Sequence, residues 1–110
     1  MKLPNGETCI VEMAKIRDYC LSESHPRGRH KARVFFSALG MTASHSEELQ
    51  AALIAAALER DATLGASDQY GIRYIIDFEL SRSERTVAIR SSWIVRSGET
   101  SPRFVTCFVL

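Results

Sequence analysis

At 110 residues, 45% apolar and 25% charged, the chain has the makeup of one small globular domain over residues 1–110 and not of a disordered segment. A net charge of +1 gives no licence to infer nucleic-acid binding from bulk charge. No apolar run approaches the ~20 residues of a membrane span, and Met1 to Val11 holds none after its lysine, so neither a membrane segment nor a signal peptide is expected.

Leu3-Pro4-Asn5-Gly6 is turn chemistry leading into a short extended Cys9–Val11. Met13, Ile16 and Cys20 recur at three- and four-residue spacing, which predicts a short amphipathic helix over Met13–Leu21, with Tyr19 beside the stripe. Ser22 to Gly28, containing Pro26, breaks it. A second helix is predicted from Arg29 to Leu39, with Val34, Phe35, Ala38 and Leu39 as its apolar stripe and Gly40 in the usual terminating position. Lys31 stands four residues before Phe35 and seven before Ala38, so it falls on that inward stripe, an odd place for a mere solubiliser. Ser44-His45-Ser46-Glu47 fits a capping box that opens a third helix, His45–Arg60, with Leu49, Ala52, Leu53, Ala56 and Ala57 inward. Thr63 to Gly71 reads as a loop.

From there the period changes to two. Strands are predicted at Ile72–Leu80, Thr86–Arg96 and Arg103–Val109, and their short connections imply an antiparallel meander with Cys9–Val11 as a candidate fourth strand. The expected fold class is therefore α+β: two or three N-terminal helices packed on one face of a three- or four-stranded antiparallel β-meander. Tyr74, Ile76, Phe78 and Leu80 share the covered face with Val87, Ile89, Trp93 and Val95. The open face collects Arg73, Ile75, Asp77 and Glu79 with Ala88, Arg90, Ser92 and Ile94. The last strand is apolar on both sides. If Val105, Cys107 and Val109 point to the core, then Phe104, Thr106 and Phe108 point outward, with Thr106 across from Ser92 and Phe108 across from Arg90.

Cys9, Cys20 and Cys107 lack the paired spacing of a zinc site or a disulfide framework, and reduced, mostly buried thiols of a cytoplasmic protein are expected. No metal motif, nucleotide loop or complete catalytic triad is present, so neither metal nor cofactor is expected. Charge is unevenly spread. Arg27, Arg29, Lys31 and Arg33 give residues 25–40 a charge of +4, against −4 over residues 41–70 and +2 over residues 71–110. A basic entrance to a buried helix suits a site that meets an anion.

A phosphodiester on the open sheet face would find Arg73 and Arg90 for its developing charge and Ser92 and Thr106 as hydrogen-bond donors. Lys31 or His30 would reach it from the helix start, with His30 the candidate for proton transfer and Arg29 and Arg33 as further substrate contacts. Phe104 and Phe108 would stack bases. Transfer to a neighbouring 2′-hydroxyl needs only a base, an acid and charge stabilisation, so metal-free RNA cleavage fits these residues. Plain readings stand beside these roles. Arg73 and Arg90 equally suit ion pairs with Asp77 and Glu79, Thr106 suits a strand for its β-propensity, Trp93 suits the core, and Lys31 suits snorkelling to water.

Leu3-Pro4-Asn5, Gly28-Arg29-His30-Lys31-Ala32-Arg33-Val34-Phe35-Phe36, the Val87–Val95 stretch with its tryptophan, and Pro102-Arg103-Phe104-Val105-Thr106 together resemble a small bacterial family, domain of unknown function 6883. The resemblance spans nearly the whole chain. It implies a short stand-alone protein or a domain at the end of a large toxin polypeptide. The order of elements also looks like the ribonuclease fold group of barnase, RelE-type toxins and colicin nucleases. Carried over by position, the family's lysine falls on Lys31, its tryptophan on Trp93, and its Pro-Arg-x-x-Thr on Pro102, Arg103 and Thr106. Phe108 stands where members often have tyrosine. The leading expectation is a toxin-type, metal-independent endoribonuclease acting on RNA in the cytoplasm and held by a cognate antitoxin. The alternatives are a non-enzymatic interaction domain, an antitoxin- or immunity-like partner that holds an acidic protein through residues 25–33, and an RNA-binding protein that does not cut.

Overall fold

The computed structural model describes residues 1–110 and puts three helices ahead of a four-stranded sheet. Helix α1 (Met13–Lys15) runs on as a π-helical turn, Ile16–Cys20. Helix α2 spans Arg29–Leu39 and α3 spans Ser46–Glu59. Strands β1 (Thr63–Asp68), β2 (Gly71–Arg82), β3 (Arg85–Arg96) and β4 (Arg103–Val109) form one sheet in that order, with every neighbouring pair antiparallel. The α+β class and the helices-then-meander order are as expected. No helix is long and apolar enough to cross a membrane.

The helices form where apolar residues repeat at helical spacing. Ala32, Phe35 and Leu39 of α2 are buried, as are Leu49, Leu53, Ala56 and Ala57 of α3. Gly40 ends α2 with φ +67°, a left-handed conformation that suits glycine, and its N–H closes on Phe36 O at 2.8 Å. Val34, expected inward, is 45% exposed, because the buried stripe runs through Ala32 instead. The start of α3 also differs from expectation. A 3-10 turn, Ala43–His45, precedes it, and the capping box joins Thr42 to His45, whose Nδ1 accepts the Thr42 N–H at 2.9 Å.

Two expectations for the sheet are corrected. Thr63–Asp68 is strand β1 and not loop, pairing Thr63 with Ile75 and Leu64 with Tyr74. It carries no inside–outside alternation because almost all of it is exposed, which hid it from period-two reading. Cys9–Val11 is not a fourth strand. Ile10 makes a single parallel bridge to Arg103, exchanging backbone bonds with Pro102 and Phe104 at 2.9 Å.

The covered face is as read. Tyr74 lies opposite Trp93, Ile76 opposite Ser91 and Phe78 opposite Ile89, all buried. Trp93 fills the space between sheet and helices, packing edge-on against Phe104 at 5.6 Å. Its Nε1–H donates to Ser91 Oγ at 2.9 Å, and that hydroxyl donates to Ile76 O at 2.8 Å, so the buried indole leaves no orphan donor. In β4 the expected pairs Thr106–Ser92 and Phe108–Arg90 are present. An irregularity between Ser92 and Trp93 sets Phe104 opposite Trp93 and leaves Val105 as the extra residue. Phe104 therefore points into the core, 1% exposed, and offers no outward stacking surface.

Candidate functional site

Three neighbouring pieces of chain converge at the β4 edge of the sheet: the π-helical turn, the loop that follows it, and the first turn of α2. The extra residue of a π-turn re-aims the side chains beyond it. Here it sends Cys20 into the core and leaves Tyr19 half-buried at the rim. The chain then folds back tightly. Ser22 N–H donates to Tyr19 O, and Gly28 presses so close that a Cβ there would stand 2.0 Å from the same carbonyl oxygen. Only glycine permits that approach.

Between them, the His25 ring organises the loop. Its Nδ1 accepts the backbone N–H groups of Arg27 and Gly28, both at 3.0 Å, which leaves Nε2 as the protonated nitrogen. His25 O accepts the Arg29 N–H at 2.9 Å at the start of α2. The imidazole stands edge-on to the Tyr19 ring, centroids 4.8 Å apart.

Lys31 enters this corner from α2. Its Nζ donates to the Tyr19 hydroxyl at 2.9 Å and lies 4.7 Å from the ring centroid. No carboxylate pairs with it. That bond occupies an acceptor position on the phenol and leaves the phenolic O–H free to donate elsewhere. On the other side, Thr106 Oγ1 lies 3.6 Å from Cys20 Sγ. An open groove of about 520 Å³ runs along these groups, lined by Ala14, Lys15, Asp18, Tyr19, His25, Val105 and Thr106. Lys15 donates to Phe104 O at 3.2 Å, holding the groove's floor to β4.

Two thiols lie beneath it. Cys20 titrates at about 7, chiefly because Cys107 hydrogen-bonds to it, with Thr106 and the Lys31 charge assisting against burial. Cys107 is held well above the usual thiol value by its contact with Cys20 and by burial.

Thr106 thus lines this groove, and Lys31 reaches it through its bond to the Tyr19 hydroxyl. The other sequence candidates stand apart from it. Arg90 lies on the open sheet face, one strand in from Phe108, and is held bidentately by Asp77 with both contacts at 2.9 Å, which also keeps the Asp77 carboxyl below its ordinary value. Arg73 pairs with Asp68 at 2.8 Å. Ser92 and Phe108 share the ladder with Thr106 and Arg90. His30 is exposed, and Arg29 and Arg33 line a second groove of about 340 Å³ with Glu23 and Phe36. Sequence reading missed Tyr19 and His25 as site residues. Their only signal was a tyrosine just off a helical stripe and a histidine before a proline. No three of His, Cys, Asp and Glu converge as metal ligands.

A family model described as Domain of unknown function (DUF6883) matches residues 2–110. No curated protein matches the sequence. Among solved structures, a chain of a contact-dependent growth inhibition toxin–immunity protein complex from Klebsiella pneumoniae 342 has a similar fold. The TM-score is 0.67 at 18% sequence identity, covering 92% of this chain and 99% of that one.

Proposed function

The chain belongs to the DUF6883 family over residues 2–110, and from that footing we propose that it is a toxin-type endoribonuclease whose site is the Tyr19–Lys31–Thr106 groove. The observation that carries this reading is the 2.9 Å bond from an ion-pair-free Lys31 to the Tyr19 phenol at an open groove. A lysine placed so stabilises a phenolate as it forms, and the phenol is thereby a proton donor for a leaving oxygen. The fold shared with a chain of a toxin–immunity protein complex supports the same direction.

In this reading a ribose 2′-hydroxyl gives its proton to the Asp18 carboxylate and attacks the adjacent phosphorus. The P–O5′ bond breaks, and the departing 5′-oxygen takes the Tyr19 proton. Lys31 offsets the charge on the phenolate and on the phosphorane. His25 Nε2–H and the Thr106 hydroxyl donate to the non-bridging oxygens. The products are a 2′,3′-cyclic phosphate and a 5′-hydroxyl. The reaction takes place where RNA is, in the cytoplasm, and a partner protein of complementary charge restrains it through the basic 25–33 segment. Val34 and Phe36, 45% and 51% exposed beside that segment, also suit the second reading, a docking domain without catalysis.

The test is inducible expression in a bacterial host, with growth, total RNA and fragment ends examined for wild type and four variants. Wild type should arrest growth and yield fragments with cyclic phosphate ends. Lys31→Ala and Tyr19→Phe should lower cleavage by roughly 10²–10³-fold while remaining folded, and Thr106→Val by about tenfold. Arg90→Ala separates two placements. A site on the sheet face needs that arginine, whereas the edge groove keeps its activity without it. Intact RNA at confirmed soluble expression, or fragments ending in 3′-hydroxyls, would end this reading.

A further inference from the structure

Beside the Tyr19 groove lies the second one, of about 340 Å³, lined by Glu23, Arg29, Arg33 and Phe36. Arg29, Arg33 and Phe36 occupy positions i, i+4 and i+7 of α2 and so share one helix face. Phe36 is 51% exposed there, an aromatic ring with nothing stacked on it. Glu23 lines the same groove as the two guanidinium groups, yet none of the three makes an ion pair. Five of the protein's nine other arginines do the opposite: Arg17, Arg73, Arg82, Arg90 and Arg103 close on carboxylates. Here a carboxylate and two arginines line one groove without pairing.

An occupant of that space must offer acceptors to the arginines, donors to the carboxylate and a flat face to the phenyl ring. Guanine does all three. Its O6 and N7 are the acceptors arginine takes bidentately, and its N1–H and N2–H groups form a paired donor edge that matches a carboxylate. Adenine, cytosine and uracil each lack one of those edges. Its ring stacks on Phe36. We propose that this groove is a guanine-binding subsite for single-stranded RNA. Glu23 and His25 are two residues apart in one loop, so the subsite and the Tyr19 groove are within ~7 Å of chain. A guanosine seated on Phe36 therefore stands beside the phosphodiester in the catalytic groove. This inference rests on the ribonuclease reading for its meaning, but not for its test.

The experiment measures fluorescence anisotropy of the full chain with 2′-O-methyl oligouridine hexamers, which lack the attacking hydroxyl, carrying one central guanine, inosine, adenine or cytosine. Guanine should bind roughly 5- to 100-fold tighter than adenine or cytosine, with inosine between, since it keeps N1–H but loses the amino group. Glu23→Gln should collapse that preference to within about threefold. Phe36→Ala should weaken all four hexamers alike. Equal affinity for all bases, or a guanine preference that survives Glu23→Gln, overturns the subsite. Absence of binding to every hexamer also overturns it. Cleavage of ordinary RNA by wild type without a base preference here removes the subsite and leaves the nuclease. Guanine preference without cleavage does the reverse.

Discussion

The thiols of Cys20 and Cys107 sit directly under the Tyr19 groove, and their unequal titration makes the site's support sensitive to pH. Cys20 ionises at about 7 in the folded chain against 9.0 for an ordinary thiol. Between those values the folded state holds fewer protons than the unfolded one, so stability rises with pH and the contribution is lost as pH falls through 7. Above pH 9 the sense reverses, because Cys107 keeps a proton that the unfolded chain releases. Urea unfolding at intervals from pH 6.5 to 9.5 should show a rise and then a fall, and Cys20→Ser should flatten the rise whatever its effect on absolute stability. A wild-type curve parallel to that of Cys20→Ser would refute a thiolate beneath the groove. A thiolate there also bears on Lys31, whose charge assists its ionisation.

At the scale of elements, the site depends on two backbones in contact. The Gly28 position allows α2 to begin against the carbonyl of Tyr19, where a Cβ would meet the oxygen at 2.0 Å and the carbonyl carbon at 2.8 Å. Both obstacles are main chain and cannot rotate away. Gly28→Ala should therefore cost about 1–3 kcal/mol or more, lowering Tm by roughly 5–20 °C, and should reduce cleavage further by parting Tyr19 from Lys31. Thermal unfolding and cleavage of the same preparation check this, and an unchanged Tm would contradict the contact. The same geometry explains what the sequence disclosed. Lys31 was legible because a cation on the stripe of Phe35 and Ala38 breaks a helical pattern. The β2–β3 faces were legible because Tyr74, Ile76, Phe78 and Leu80 alternate along β2 and Val87, Ile89, Trp93 and Val95 along β3, with only Ser91 interrupting the apolar set. Tyr19 and His25 were not, since their meeting with Lys31 needs a π-turn and a glycine contact that have no periodic signature. Strand β1 was hidden by exposure on both sides, and the inward turn of Phe104 by an irregularity that shifts parity within a strand apolar on both faces.

Across the whole molecule, charge is sorted by face and by whether it is already neutralised. The sheet's open face carries arginines that are spoken for: Arg73 by Asp68, Arg90 by Asp77, Arg103 by Glu99. Arg27, Arg29, Lys31 and Arg33 have no such partners, so their counterions are mobile ones that a polyanion can displace. Each phosphate contact to a single strand contributes about −0.7 to the slope of log K against log salt. Engagement of all four cations predicts a slope near −3 for the hexamers. Arg27→Ala should make it shallower by about 0.7, whereas Arg90→Ala should leave it unchanged, because that guanidinium would have to abandon Asp77 first. Anisotropy titrations between 50 and about 300 mM salt read the slope directly. A slope that Arg90 alters and Arg27 does not would move the nucleic-acid face from the helix start to the open sheet.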